Sequence, residues 1–302
     1  MSEQKSPSIE AVILNWNLPG ESIACGRSLI EQGYRSLRLT FVDNGSSDQS
    51  VELIRAAFPD ATILALPENL GIASGYNAGL IHTLRTGADF GLVLNNDTLF
   101  APGMLQSLVD AAKRQPNAGV LMPKILYESR RDTIWSAGAR RRLVPPGVVF
   151  TGLNHLDGPE YARERDIPYA PSCALLIPRR VLERVGLFDS GYFFYYDDWD
   201  YCERVRRDGW TIRYVPSAIV YHKVSLSTAR SARPARWWYV MGRSTFQYYR
   251  RYYTPFAPSL GFFATWFVAR EIWQGNVRLA PLFLLGLIDA MRGRQMRSLD
   301  SL

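Results

Sequence analysis

The chain has 302 residues, 47% of them apolar, and a formal charge of +7. That is enough for one large domain, or one domain with an appendage, around a sizeable core. Three scattered histidines, His82, His155 and His222, exclude the usual zinc-hydrolase cluster.

The surplus positive charge suits nucleic acid, anionic lipid or a phosphorylated substrate. Cys25, Cys173 and Cys202 are odd in number and lack metal spacing, so they read as reduced, buried thiols of a cytosolic protein. The first eight residues are polar and read as a disordered tail rather than a signal peptide. No run reaches the roughly 20 apolar residues of a spanning helix.

Strands and helices then alternate. Ile9 to Leu14 predicts a strand ending at Asn15-Trp16-Asn17, and Ser22 to Gln32 a helix closed by Gly33. Leu37 to Val42 predicts a second strand ending at Asp43-Asn44-Gly45, and Ser50 to Phe58 a helix stopped before Pro59. Ala61 to Leu66, Ala73 to Thr86 and Phe90 to Leu94 predict strand, helix and strand. A turn and a helix from Met104 follow. Such alternation implies right-handed crossovers and a parallel sheet.

In a parallel sheet the polar strand ends share one rim, where α/β proteins bind ligands. Asn95-Asn96-Asp97 closes the fourth strand, and Asp97 offers a hard oxygen ligand for Mg²⁺ or Mn²⁺. The same triplet also suits an ordinary turn. Asn69, Gly71, Gly75, Asn77 and Gly79 surround a helix start whose amides suit a diphosphate. The spacing is not the dinucleotide fingerprint G-x-G-x-x-G, and glycines here also serve close packing.

The pattern weakens from Pro123 to Pro168, where Arg140-Arg141-Arg142 and Pro145-Pro146-Gly147 predict exposed loops or short hairpins. Ala174 to Ile177 predicts a strand and Arg179 to Val185 a helix. Next comes an aromatic run, Tyr192 to Tyr196, then Asp197, Asp198 and Asp200. Carboxylates this close need a cation, hydrogen bonds or a helix N-terminus to hold them. Asp200 with Arg204 has the spacing of an i,i+4 pair. Trp210 to Val215 predicts a strand ended by Pro216, and His222 closes another apolar run, as a structural residue or as a metal ligand beside Asp97.

From Arg230 on, arginines interleave with Trp237, Trp238, Tyr239, Tyr248, Tyr249 and Tyr252. The composition favours helices lying in the plane of an anionic membrane surface. A helical cap on the domain, or a homo-oligomer interface, is the alternative. No nucleic-acid motif accompanies the charge, so nucleic-acid binding is not expected.

The order of these motifs resembles the family 2 inverting glycosyltransferases of the GT-A fold, over residues 9 to about 228. Within that family it looks most like bacterial rhamnosyltransferase-like enzymes of surface polysaccharide synthesis. The resemblance implies an α/β GT-A fold: a Rossmann-like, mostly parallel sheet flanked by helices, with a C-terminal helical basic-aromatic appendage. It implies a nucleotide-sugar-binding half at 9–122, an acceptor and catalytic half at 123–228, and a helical region at 229–302.

It also implies roles for single residues. Asp43 would hydrogen-bond a uracil or thymine ring, with Trp16 and Asn15 beside it. Asn69, Gly71, Gly75 and Asn77 would shape the donor pocket. Asn95-Asn96-Asp97 stands where the family carries Asp-x-Asp, so Asp97 would hold the Mn²⁺ or Mg²⁺, with His222. Asp198 matches the catalytic base, and Asp197 replaces the preceding Glu. Tyr195, Tyr196 and Trp199 would line the acceptor site. The implied donor is a dTDP- or UDP-linked sugar, with L-rhamnose the leading candidate. The implied acceptor is a glycan or lipid-linked saccharide at the cytoplasmic face of the inner membrane. The neutral Asn95 leaves a non-catalytic sugar-nucleotide-binding subunit as the alternative.

Overall fold

The computed structural model describes residues 6–142, 144, 147–224 and 236–296. The predicted boundary near residue 228, Arg230 and Arg233, and residues 1–5 of the expected tail lie outside these. Ser8 is not loose: its amide and hydroxyl both donate to Asp89, at 2.7 and 2.8 Å.

The first half follows the predicted alternation. In chain order come β1 (Ile9–Asn15), α1 (Pro19–Ile30), β2 (Leu37–Asp43), α2 (Ser50–Ala57), β3 (Thr62–Ala65), α3 (Gly71–Thr86) and β4 (Phe90–Asn95). β3, β2, β1 and β4 lie side by side and parallel. The middle strands are buried on both faces, which is why they read as unbroken apolar runs. Helix α3 approaches β1 closely because it presents glycines. A Cβ on Gly79 would stand 2.2 Å from Val12, and one on Gly75 2.4 Å from Leu14.

The second half comprises β5 (Thr98–Phe100), α4 (Met104–Arg114), β6 (Ala118–Tyr127), β7 (Ile134–Ser136), β8 (Ala139–Arg142) and β9 (Gly147–Phe150). After a short 3-10 turn come β10 (Arg165–Asp166), β11 (Ala174–Pro178), α5 (Arg179–Val185), α6 (Asp197–Arg207) and β12 (Thr211–His222). The main sheet runs β10-β12-β6-β11-β4-β1-β2-β3. It is mixed, because β11 is antiparallel to both β4 and β6.

Two prolines hid long strands from the sequence pattern. Pro123 lies inside β6 opposite Val215 of β12, the last pair before the register between these strands shifts. Pro216 lies in a register shift of β12 between Val215 and Ile219, so the strand bulges instead of ending.

Three helices complete the described chain: α7 (Arg236–Tyr252), α8 (Phe256–Trp273) and α9 (Ala280–Met291). α7 and α9 meet backbone to backbone through Gly242 and Gly286; a Cβ on either would fall about 2 Å from a carbonyl of the other helix. The aromatic residues of α7 point inward. Tyr248, Tyr249 and Tyr252 are buried with Tyr192 and Tyr196 in a second core cluster. The membrane contact expected of the whole tail therefore does not use these side chains.

Candidate active site

The site forms where β4 ends and β11 begins. Because β11 runs antiparallel to β4, its first residues fall at the carboxyl rim of the parallel strands. Asn95 N–H donates to the Cys173 carbonyl at 3.0 Å. The Tyr76 hydroxyl of α3 donates to Asn95 Oδ1 at 2.6 Å and lies 3.1 Å from the Ser172 carbonyl oxygen. Ser172 N–H donates in turn to Asp198 Oδ2 at 3.3 Å. The buried Cys173 thiol is held well above its usual range by burial, then by the negative charges of Asp97 and Asp198. The strand-end triplet and the acidic pair thus meet on consecutive residues, Cys173 bonded to Asn95 and Ser172 to Asp198.

Asp97 and His222 come together through β12. Its end pairs with β5, His222 opposite Thr98, and Lys223 N–H donates to the Asp97 carbonyl at 2.9 Å. His222 Nε2 stands 3.1 Å from Asp97 Oδ1, and both residues are buried. Two ligands at adjoining corners of an octahedron with bonds of about 2.1 Å are about 3 Å apart. The pair therefore fits two corners of a Mg²⁺ or Mn²⁺ site, with diphosphate oxygens and water for the rest. His222 Nδ1 is buried without a hydrogen-bond partner, and Trp135 meets the ring edge-on at 4.6 Å. Among the described residues no three His, Cys, Asp or Glu side chains converge on one point, so protein alone does not complete a cation cage.

The nucleotide side is a hydrogen-bonded rim. Asp43 Oδ1 accepts from Asn15 Nδ2 at 2.7 Å and from the Ser46 hydroxyl at 2.6 Å; its Oδ2 accepts from Ser46 N–H at 3.0 Å. Asn15 Oδ1 accepts from the Ser22 hydroxyl at 2.7 Å, and Asn96 donates to Ser22 Oγ at 3.0 Å. The Arg236 guanidinium, opening α7, lies 5.6 Å from the centre of the Trp16 ring.

The glycine-rich stretch serves packing more than an open anion nest. The amides of Leu70, Gly71 and Ile72 are already taken by Asn44 Oδ1, Asn69 Oδ1 and the Phe193 carbonyl. Gly71 has φ +84°, and a Cβ there would stand 2.4 Å from the Phe193 carbonyl oxygen. Gly75 faces Leu14. Asn77 clamps Phe188, donating to its carbonyl at 2.8 Å and accepting from its N–H at 3.0 Å. Gly75 and Asn77 thus position other elements, and the amides of 70–72, where the helix in fact starts, are occupied.

The acidic side starts with two strained residues. Tyr195 and Tyr196 have φ of 66° and 67°, the left-handed region that costs a bulky residue energy and clusters at functional sites. They turn the chain so that α6 opens on Asp197. Tyr196 stacks on Tyr248 of α7, and Trp199 meets Tyr196 edge-on. Burial pushes Asp197 up to about 7. Burial, followed by the charge of Asp197, holds Asp198 well above the usual carboxylate range. Asp198 keeps partial solvent access, as a group that must reach a substrate requires.

The predicted Asp200–Arg204 pair exists at 2.8 Å, but Asp200 is fully buried. It also accepts from Arg251 at 2.6 Å and from the Tyr252 hydroxyl at 2.7 Å. The pair is therefore part of a latch between α6 and α7. Likewise Arg141 pairs with Glu203 and lies over Tyr253, and Arg142 lies over Trp266, so the β8–β9 arginines grip the helical region.

Sequence reasoning missed Tyr76, Ser172, Asn44, Arg236 and Arg251. Ser172 had a signal, a polar residue just before an apolar run, but its meaning depended on the direction of β11.

A mixed α/β sheet whose strand ends gather an Asn- and Asp-rich rim opposite an acid pair defines a sugar-nucleotide-dependent glycosyltransferase of the GT-A class. Residues 21–186 match the family described as Glycosyl transferase family 2, and the chain belongs to that family. A Mycobacterium tuberculosis protein, N-acetylglucosaminyl-diphospho-decaprenol L-rhamnosyltransferase, is 30% identical over 219 residues, covering 65% of this chain and 69% of its own. The low-salt glycan biosynthesis hexosyltransferase Agl10 of Haloferax volcanii is 25% identical over 171 residues, 55% of this chain and 52% of that one.

Two solved structures share the fold at low identity. GalNAc-T7 with UDP, GalNAc and Mn²⁺ superimposes with a TM-score of 0.60 at 13% identity, over 80% of this chain but 49% of that one. The mannosyltransferase PcManGT of Pyrobaculum calidifontis, with GDP-Man and Mn²⁺, gives 0.55 at 17% identity, over 97% and 77%. This chain therefore spans about half of the first structure and just over two thirds of the mycobacterial relative.

Proposed function

We propose that the chain is an inverting, cation-dependent glycosyltransferase that moves L-rhamnose from dTDP-rhamnose to a lipid-linked saccharide at the cytoplasmic membrane face. The sugar and the acceptor are drawn from the likeness to the mycobacterial rhamnosyltransferase. The observation that supports the reading is the hydrogen-bonded link between the two acidic stretches, Asn95 N–H to the Cys173 carbonyl and Ser172 N–H to Asp198 Oδ2.

Asp198 takes the proton of the acceptor hydroxyl as that oxygen bonds to the anomeric carbon. The bond to the diphosphate breaks in the same step, and its electron pair leaves with the nucleoside diphosphate. Attack from the face opposite the leaving group inverts the sugar. Asp97 and His222 would hold the divalent cation, whose chemistry there is to neutralise charge on the diphosphate. Asp43 and Asn15 orient the base beside Trp16. Tyr195 and Trp199, both part-exposed, form the wall on which an acceptor sugar rests; the expected third member, Tyr196, is buried against Tyr248 instead.

The test is transfer from dTDP-rhamnose to a prenyl-diphosphate-linked N-acetylglucosamine in the presence of Mn²⁺. The product is expected with inverted anomeric configuration. Asp198→Asn should lower the rate by about 10²- to 10⁴-fold, the range of a general base, with donor affinity retained. Full activity in that variant defeats the base assignment. Donor binding with neither transfer nor Mn²⁺-dependent hydrolysis would support the non-catalytic binding subunit instead.

A further inference from the structure

Eight of the fifteen large exposed hydrophobic residues among the described residues fall between Phe262 and Met296. That density calls for a cover. On α8 the outward residues include Phe262, Ala269, Ile272 and Trp273; on α9 they include Leu284, Ile288 and Met291. Trp273 is 85% exposed and Met291 63%. The inner faces of the same helices are apolar too, with Phe267 and Phe283 in contact at 4.4 Å. A helix that is apolar all round needs a partner on its outer side. Neither is long and apolar enough to cross a membrane.

Charge says what the partner is. The only two acids between residues 254 and 296, Glu271 and Asp289, are fully buried, and each is paired with an arginine. The exposed charges there are Arg278, Arg292 and Arg294. Beside them Arg243 and Arg250, with Phe246, line a cavity of about 440 Å³ between α7 and α9; Arg251, also in its wall, is held by Asp189 and Asp200. Guanidinium forks and an apolar floor suit phosphate headgroups. A two-fold contact with a second copy would set this predominantly basic patch against itself.

We propose that the outer face of α8 and α9 docks in the interface of an anionic phospholipid membrane. Trp273, Ile288 and Met291 enter the boundary between headgroups and acyl chains, and Arg250, Arg278 and Arg292 bind the phosphates. This goes beyond the proposed transfer reaction and does not rest on it, since docking requires no sugar.

The experiment is vesicle flotation of the full chain, with phosphatidylglycerol-containing vesicles against phosphatidylcholine alone, at low and high salt. Flotation is expected only with the anionic vesicles, and should weaken with salt. Trp273→Ser combined with Ile288→Ser, and separately Arg278→Glu combined with Arg292→Glu, should each weaken it by about tenfold or more. All four residues are exposed, and an unchanged melting temperature verifies folding. Three results overturn the proposal: no flotation of the parent chain, unchanged flotation of both variants, or a parent oligomer that the serine variant converts to monomer without any vesicle binding. Loss of glycosyl transfer with flotation intact would count against the proposed reaction alone.

Discussion

The Tyr76 hydroxyl donates to Asn95 Oδ1 at 2.6 Å, and it makes that contact from the middle of α3. Burial raises the Tyr76 hydroxyl well above its usual range, followed by the charge of its acidic surroundings, so it stays a donor at any working pH. Through it the helix that carries the glycine-rich stretch is tied to the strand end that carries Asp97. Tyr76→Phe leaves Asn95 Oδ1 without its donor. It should cost about 1–3 kcal/mol of stability, measured by chemical denaturation, and should slow transfer with little change in fold.

The acid pair makes the rate depend on pH with a definite sign. In the proposed reaction Asp198 must be ionised, so activity should rise through and above the neutral range. Part of the upward shift of Asp198 comes from the charge of Asp197. Asp197→Asn removes that charge, so the lower limb of the pH–rate profile should move to more acid pH. Stability should move the other way in the parent chain. A carboxyl raised from 3.8 to about 7 on folding stabilises fully below 3.8, and that contribution is lost as pH climbs to about 7. The melting temperature of Asp197→Asn should therefore fall less between pH 5 and pH 8, taken as about the limits of that window. An equal fall in both chains would remove the buried-acid account.

His222 should act on cation affinity more than on folding. With His222→Ala, the Mn²⁺ concentration that half-saturates donor binding should rise at least about tenfold, as measured by calorimetry. Chelation should abolish transfer in the parent chain. An unchanged Mn²⁺ requirement would return His222 to a purely structural role beside Trp135.

Gly71 offers a separation of two costs. Gly71→Ala combines a left-handed backbone with a Cβ 2.4 Å from the Phe193 carbonyl. Gly33→Ala has the left-handed backbone, φ +62°, and open space. The backbone part should cost about 1–2 kcal/mol in either. Only Gly71→Ala should also lower transfer, because only there must the segment leading to Asp197 shift.

The donor half was legible because its residues obey local rules. Apolar runs of strand length ended in polar clusters, and helices stopped at Gly33 and Pro59. The second half was less legible, for reasons that lie in the tertiary pairing. Pro123 and Pro216 are strand breakers by local chemistry, yet both sit at the register shift between β6 and β12, Pro123 in the last pair before it and Pro216 inside it. The α7 tyrosines read as a surface feature because arginines interleave with them. In the folded chain Arg251 is drawn in by the buried Asp200, and the rings fill the space behind Tyr192 and Tyr196. The helix amides at 70–72 looked available because no periodicity reveals that Phe193, over a hundred residues later, occupies one of them.

Strand β11 completes the edge of β4 and brings the preceding Ser172 onto Asp198, so it belongs equally to the part proposed to grip the sugar nucleotide and the part proposed to deprotonate the acceptor. The two halves are not exchangeable modules. A chimaera joined anywhere between β4 and β11 inherits a foreign seam through its reaction centre. Grafting a new donor preference onto this scaffold should succeed only when the Tyr76, Asn95 and Ser172 contacts travel together as one inherited unit.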